Sequence, residues 1–262
     1  MDMNQQYDHI TVEKNREKQT ATIILDRPEK MNFVSMLGRQ HLTQIFDELN
    51  RDEEVRVIII KGAGDKCFTA GGDIHGFLEV HQEELSHLAV NVAAPERSPK
   101  PVIAQLQGYT FGVGCEIAMA CDFRIAAEDT QLALPEMNLG QIPGSGGTQR
   151  IAKIVGLTRA KDMIMRARRI PAQEAYQWGL LTKVVPKDQL EAEVDSLVAE
   201  LVRFSPLAQK VAKEVLNASE DSPISVGIKL EGKAYGLLRS TQDYLEGTTA
   251  FVEKRKPNFT GK

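Results

Sequence analysis

The stretch PVIAQLQGYTFGVGCEIAMACDFRIA, residues 101–126, predicts a strand, a glycine turn, a helix and a second strand. The apolar run at 101–108 has the length of a buried strand, and DFRIAA (122–127) predicts the next one. Between them, Gly112 and Gly114 flank the point where a helical pattern begins. A strand, a helix and a further strand in succession indicate an α/β protein with parallel strands.

The same alternation extends toward the N-terminus. TATIILD (20–26) predicts a buried strand, and VRVIIIKG (55–62) is apolar enough to be covered on both faces. CFTAGGD (67–73) predicts a second glycine turn, with Asp73 as the N-cap of the following helix. Residues 36–50 have apolar side chains at helical spacing: Leu37, Leu42, Ile45, Phe46 and Leu49.

Beyond about residue 150 the pattern becomes mostly helical. Only LLTKVVP (180–186) predicts an extended segment there. The apolar residues of the tail, 227–259, are too sparse for a core of their own. The tail therefore packs either on a neighbouring subunit or on its own chain, and the sequence leaves both arrangements open.

Composition excludes several classes of protein. A net charge of −4 argues against nucleic acid or an anionic membrane as the main partner, and no apolar run reaches the roughly 18 residues of a membrane span. Cys67, Cys115 and Cys121 are odd in number, lie in apolar contexts and lack zinc-ligand spacing, so we expect neither a disulfide framework nor a metal site. The start of the chain has no signal-peptide pattern, and we expect a cytoplasmic protein.

The two glycine turns are the first candidate for chemistry. Turns at the carboxyl ends of parallel strands share one edge of a sheet, where open α/β sheets bind ligands. Each turn, at 70–73 and at 112–114, opens a helix and presents unpaired backbone N–H groups. Two such groups that converge on one oxygen form an oxyanion hole.

Two carboxylates are the second candidate. Glu116 lies one turn into the helix behind Val113, and Glu136 follows Pro135 before a glycine-rich loop. Carboxylates that share a water-poor site separate their pKa values, so one can stay ionised while the other keeps its proton. This pairing favours general acid–base catalysis.

Together these segments resemble the crotonase superfamily, and within it the enoyl-CoA hydratases. The resemblance covers the chain from about residue 8 to its end and is carried by five motifs: LDRPEKMN (25–32), FTAGGD (68–73), the 101–126 stretch, LPEMNLGQIPGSGGTQR (134–150) and EGTTAFVEKRKPNF (246–259). It implies an α/β crotonase (ClpP-like) spiral of ββα units with a C-terminal helical trimerisation region. The expected division is a spiral core at 1–200 and a helical oligomerisation region at 201–262, assembled as a trimer or a dimer of trimers.

The resemblance also implies the site. The N–H groups of Gly72 and Val113 would hold the thioester oxygen of an acyl-CoA, Glu116 and Glu136 would be the hydratase glutamates, and Gly144 would help to hold the attacking water. Coenzyme A, expected as part of the substrate and not as a permanent cofactor, would lie near one further set of residues: Lys30, Met31, Phe33 and Ala70, with Phe251 and Lys254 from an adjoining subunit. The implied enzyme is a hydro-lyase that converts an enoyl-CoA into a 3-hydroxyacyl-CoA.

Two departures from the family pattern bear on the substrate. Val113 stands where glycine is usual, and Phe33-Val34 replaces a smaller pair. A branched, cyclic or functionalised acyl group is therefore an open alternative to a straight chain. The alternative reactions are isomerisation, thioester hydrolysis and C–C cleavage, for which His75 is the candidate residue. A non-catalytic RNA-binding role is disfavoured by the net charge of −4.

Overall fold

The computed structural model describes residues 7–85 and 88–262. These residues contain two β-sheets. One, here called the long sheet, is formed mainly from strands of five or six residues, and the other, the short sheet, from strands of two or three. The strands are β1 (Ile10–Asn15), β2 (Thr20–Leu25), β3 (Val57–Gly62), β4 (Cys67–Thr69), β5 (Val102–Leu106), β6 (Tyr109–Phe111), β7 (Phe123–Ala127), β8 (Gln131–Ala133), β9 (Ile170–Pro171) and β10 (Lys183–Val185).

From β3 to β8, successive strands alternate between the two sheets. The long sheet has the order β1-β2-β3-β5-β7-β10, and the short sheet has the order β4-β6-β8-β9. Pairing is parallel except between β1 and β2 and between β8 and β9. The consecutive pairs β3/β4, β5/β6 and β7/β8 each give one strand to each sheet, and a helical segment follows each pair. The spiral of strand–strand–helix units that the resemblance implies is thus confirmed.

Helices cover the long sheet and make up most of the second half of the chain. They are α1 (Met36–Arg51), α2 (Ile74–Phe77), α3 (Gln82–Leu85), α4 (Leu88–Val92), α5 (Ala94–Arg97), α6 (Val113–Ala120), α7 (Gly147–Val155), α8 (Leu157–Met165), α9 (Ala172–Gln177), α10 (Leu190–Leu201), α11 (Pro206–Ala218), α12 (Ile224–Leu238) and α13 (Gln242–Glu253). Short 3-10 helices span Pro28–Lys30, Glu136–Leu139 and Lys187–Gln189.

The long sheet has a hydrophobic core on each face. In β3, Ile58 and Ile60 belong to the larger core, whereas Val57 and Ile59 belong to a second core that α10 covers. Because side chains alternate between faces along a strand, a sheet covered on both sides needs a continuous apolar run. This explains VRVIIIKG, and the predicted burial of this strand on both faces is confirmed.

Other predictions can be compared directly with the structure. The predicted strands correspond to β2, β3, β5, β7 and β10, and the cysteines are free and buried. Of the apolar residues at helical spacing in α1, Leu42, Ile45, Phe46 and Leu49 are buried, whereas Leu37 is exposed, and the buried face carries Arg39 beside Leu42. Within the described residues, no helix combines the length and the apolar character needed to cross a membrane.

We expect Leu42→Ala to lower the free energy of unfolding by about 2–5 kcal/mol, because it removes a buried side chain and leaves a cavity. Leu37→Ala makes the same chemical change on the same helix at a 52% exposed position and should cost less than about 0.5 kcal/mol. Urea unfolding of both variants measures the difference. Equal losses would contradict the assignment of the buried face of α1.

Candidate active site

Two glycine turns abut at one end of the short sheet. Strands β4 and β6 pair in parallel, with Cys67 opposite Tyr109 and Thr69 opposite Thr110. A Cβ atom added to Gly112 would lie 3.8 Å from the Cα atom of Gly71. The turns therefore meet as the sequence indicates, although they follow these three-residue strands and not the longer strands β3 and β5.

Two backbone donors on these turns are unused. Within residues 7–85 and 88–262, the N–H groups of Gly72 and Val113 donate to no other residue. Val113 is the first residue of α6, so its N–H group lies at the positive end of that helix. Gly112 precedes it with φ 52° and ψ −123°, a left-handed conformation that glycine adopts without a steric penalty. Gly72 precedes Asp73, which caps α2 by accepting a hydrogen bond from the Gly76 N–H group, as the sequence predicts.

Glu116 is a buried carboxylate held by backbone donors. It lies in the first turn of α6, whose other residues are all buried, and it is 2% exposed. Its Oε1 atom accepts hydrogen bonds from the N–H groups of Ser145, at 2.7 Å, and Gly147, at 3.0 Å. These two donors supply hydrogen bonds in place of the water that burial removes.

The second donor position requires glycine. A Cβ atom at residue 147 would lie 2.9 Å from Oε1 of Glu116 and 2.8 Å from Cβ of Pro143. Any larger residue would therefore push the carboxylate away from the loop. This contact gives the glycine-rich loop at 144–147 a structural role in holding Glu116.

Glu136 is a second acidic residue, close to the Gly112 turn. It begins the 3-10 helix Glu136–Leu139, and its Oε1 atom lies 3.2 Å from the position of a Cβ atom at residue 112. Its Oε2 atom is buried and has no hydrogen-bond partner in the part of the chain that the structure describes. Burial above all, together with the negative charge of Glu116, raises the pKa of Glu136 from 4.5 to about 7, while a hydrogen bond from its own backbone and the charge of Arg39 oppose the rise.

Arg39 and Ser145 are site residues that the sequence analysis missed. Arg39 is 3% exposed, and its Nη1 atom donates to Oγ of Ser145 at 2.8 Å. The sequence does contain a sign of Arg39: it is a charged residue at helical spacing from Leu42, Phe46 and Leu49, on the apolar face of a helix. A long cation at such a position indicates either a buried partner or a site.

The residues expected at coenzyme A form a second group beside the Gly72 turn. The N–H group of Ala70 donates to the carbonyl of Met31 at 2.9 Å. Lys30 ends a 3-10 helix just before Met31, and the ring of Phe33 lies under the guanidinium of Arg27 at 4.3 Å. Ala70 is exposed. The structure thus joins Ala70 to the segment that carries Lys30, Met31 and Phe33.

Other predicted residues lie apart from this group. Phe251 and Lys254 are exposed on and just after α13, and in the described residues no hydrogen bond or ion pair joins them to the Met31 segment. His75 is exposed on α2. Gly144 is exposed next to Ser145, and Val113 is buried within the larger core. In the described chain, no cluster of His, Cys, Asp or Glu side chains is arranged to bind a metal ion.

Comparisons with known proteins agree on one family. Residues 15–262 match the model of the enoyl-CoA hydratase/isomerase family. The chain is 39% identical to a crotonyl-CoA hydratase of Syntrophomonas wolfei, over 98% of this chain and 99% of the relative. It is 36% identical to a short-chain-enoyl-CoA hydratase of Clostridium acetobutylicum, over 92% and 94%. The crystal structure of an enoyl-CoA hydratase from Bacillus anthracis superposes with a TM-score of 0.91 at 36% identity and covers 97% of this chain and 100% of that chain.

The buried acid predicts a specific pH dependence of stability. The pKa of Glu136 rises from 4.5 to about 7 on folding, so between these values the folded state holds more protons than the unfolded state. Glu136 therefore makes the free energy of unfolding fall as pH rises through this window. We expect Glu136→Gln to gain stability relative to the wild type between pH 4.5 and about 7, with no further gain above.

Urea unfolding at several pH values measures this difference. The control is Glu128→Gln, a substitution at an exposed position, which should follow the wild type at every pH. A constant difference between Glu136→Gln and the wild type would contradict the buried, unpaired state of Glu136.

Proposed function

The chain belongs to the enoyl-CoA hydratase/isomerase family, and on this premise we propose how its residues add water to an enoyl-CoA. The enzyme is a hydro-lyase of the enoyl-CoA hydratase type. It adds OH and H across the 2,3 double bond and forms a 3-hydroxyacyl-CoA.

One observation carries the residue assignment. Two acids of opposite character flank the turn that presents the Val113 N–H group. Glu116 is anchored by two backbone donors, and Glu136 has a buried oxygen with no partner among the described residues. The N–H groups of Gly72 and Val113, which donate to no residue in the same described ranges, belong to the adjoining turns. An α,β-unsaturated thioester needs these parts: a hole for its carbonyl oxygen, and an acid and a base beside its double bond.

The proposed steps are as follows. The N–H groups of Gly72 and Val113 bind the thioester oxygen and stabilise the enolate charge that develops there. A water molecule held near Gly144 attacks the β-carbon and gives its proton to Glu116. Glu136 then gives its proton to the α-carbon, and the carbonyl re-forms. The two acids end with the proton exchanged between them, and solvent restores the starting state.

The environments of the two acids support this division of roles. The two N–H donors at Oε1 hold the carboxylate of Glu116 in a fixed position, as its proposed role of base requires. The pKa of Glu136, raised to about 7 mainly by burial, leaves a large fraction of this residue protonated at neutral pH. A group that titrates near the working pH is an effective general acid.

The acyl group is a finer proposal. Two relatives carry names with crotonyl-CoA and short-chain enoyl-CoA as substrates, so we take crotonyl-CoA as the first substrate to test. Val113 and Phe33 are larger than the residues usual in the family, which keeps branched, cyclic or functionalised acyl groups among the candidates. Coenzyme A would lie beside Met31 and Ala70, which are joined by a backbone hydrogen bond.

We expect Glu136→Gln to lower kcat for crotonyl-CoA hydration by about 10²–10⁴-fold, because the amide cannot supply the proton. The Glu116→Gln variant should lose activity to a similar extent, since it cannot take the proton of water. Glu128→Gln, exposed, should keep wild-type rates. Loss of ultraviolet absorbance of the conjugated thioester measures the rate.

The mass of the product separates hydration from the alternatives. Hydration adds the mass of one water, isomerisation leaves the mass unchanged, and hydrolysis releases a free acid and coenzyme A. An unchanged mass or a free acid as the only product, over a panel of enoyl-CoA chain lengths and branches, would overturn the hydratase assignment. Wild-type activity in Glu136→Gln would instead overturn only the role of Glu136.

The assembly is also a proposal: a trimer or a dimer of trimers built through the C-terminal helices. Helices α12 and α13 expose large apolar side chains, namely Ile224, Ile228, Tyr235, Leu237, Phe251 and Val252. Exposed apolar surface of this extent indicates a protein contact. In such an assembly Phe251 and Lys254 could reach the coenzyme A of a neighbouring subunit.

We expect sedimentation to give the mass of three or six chains for the wild type. Leu237→Asp, at a 72% exposed apolar position, should shift the population toward smaller species, because it would bury an unpaired charge in the contact. Lys233→Ala, exposed on the same helix, is the control. A wild-type protein that sediments as a single chain would contradict the proposed assembly.

A further inference from the structure

Arg39 is a buried cation in the wall of the site. The other buried residues of α1 are Gly38, Leu42, Ile45, Phe46 and Leu49, so Arg39 is the charged member of an otherwise apolar face. Burial of a charge is costly unless other groups compensate for it. In the described residues no carboxylate lies within ion-pair distance of Arg39, and its Nε atom has no hydrogen-bond partner.

One side of the guanidinium contacts the loop that holds Glu116. Nη1 donates to Oγ of Ser145 at 2.8 Å, and the Ser145 N–H group donates to Oε1 of Glu116 at 2.7 Å. A single residue therefore separates Arg39 from the carboxylate proposed as the base. Movement of this guanidinium would move the loop on which the position of the carboxylate depends.

The other side of the guanidinium contacts the Gly72 turn. A Cβ atom at residue 72 would lie 2.9 Å from Nη2 of Arg39 and 2.8 Å from Cζ of Phe77. The guanidinium carbon also lies 5.2 Å from the centre of the Phe77 ring. Arg39 thus packs directly against the turn that presents the proposed oxyanion donor.

The positions of the neighbouring charges make Arg39 distinctive. Burial lowers the pKa of Arg39 to about 10, against the opposing effect of Glu116 and Glu136, so it remains a cation at neutral pH. From α7, Arg150 donates to the Ser145 carbonyl but is already paired with Glu96 at 2.6 Å. From α6, Cys115 is a neutral thiol, since burial raises its pKa.

We propose that Arg39 is a positioning residue for hydration, one that braces the Glu116 loop against the Gly72 turn and balances the charge of the two acids. The proposal rests on the proposed function. As water attacks, negative charge leaves Glu116 and develops on the oxygen at Gly72. Arg39 lies beside both places, so it compensates the charge at both ends of the step without rearrangement.

Four variants test this role. Arg39→Met and Arg39→Gln remove the charge, Arg39→Lys keeps it, and Ser145→Ala removes only the hydrogen bond to Oγ. We expect the neutral variants to lose about 10–100-fold in kcat, with KM changed less than about threefold. The midpoint of the pH profile assigned to Glu136 should move up by about 0.5–1 pH unit, because the cation that opposes its protonation is gone. Arg39→Lys and Ser145→Ala should keep the wild-type midpoint.

A titration that does not depend on activity tests the role of Arg39 separately from the proposed hydratase function. Carbon-13 NMR of labelled glutamate follows the Glu136 carboxyl, identified by its loss in Glu136→Gln. An unmoved Glu136 midpoint in a folded neutral variant overturns the role of Arg39, as does a rise in KM at constant kcat. If both neutral variants fail to fold, Arg39→Lys decides: a midpoint that matches the wild type supports the role, and a displaced one overturns it. Absence of hydration by the wild type would overturn the proposed function and leave the titration valid.

Discussion

The geometry of the site depends on two hydrogen bonds, from the N–H groups of Ser145 and Gly147 to one oxygen of Glu116. A carboxylate in the first turn of an apolar helix cannot keep its charge in a dry interior unless donors replace the lost water. The loop after Pro143 supplies these donors, and it can approach closely because residue 147 has no side chain. The same two hydrogen bonds fix the loop to α6, so they stabilise both the loop and the carboxylate of Glu116.

The two-sheet spiral brings the remaining parts to this helix. Because each ββα unit sends one strand to the short sheet, consecutive units place their turns side by side at its end. Gly72 and Val113 are 41 residues apart in sequence numbering, yet parallel pairing of β4 with β6 makes their turns neighbours. A long sheet buried on both faces provides the rigid support, and the short sheet aligns the backbone donors.

The sequence predicted the parts that depend on local pattern. Buried strands, the Asp73 cap, the glycine turns and both acids follow from residue type and spacing. The short strands β4, β6 and β8 were not predicted, since three residues are too few to show a period of two. Arg39 was missed because a charged residue does not contribute to the apolar pattern of a helix, even where it lies on the buried face, and the apolar Leu37 of the same pattern is exposed. The residues that surround Arg39 are determined by tertiary contacts, which no local sequence pattern encodes.

The two acids differ although they share one site, and the difference lies in their donors. Oε1 of Glu116 accepts two N–H groups, whereas Oε2 of Glu136 is buried and, among the described residues, has no partner. Burial is the main cause that raises the pKa of Glu136 to about 7, and the nearby charge of Glu116 contributes to this rise. Because the ionised state of the first acid favours the protonated state of the second, the roles of base and acid are not independent. A cation beside the pair, Arg39, opposes the rise in the pKa of Glu136, and in the proposed step this would favour the release of the Glu136 proton to a carbon atom.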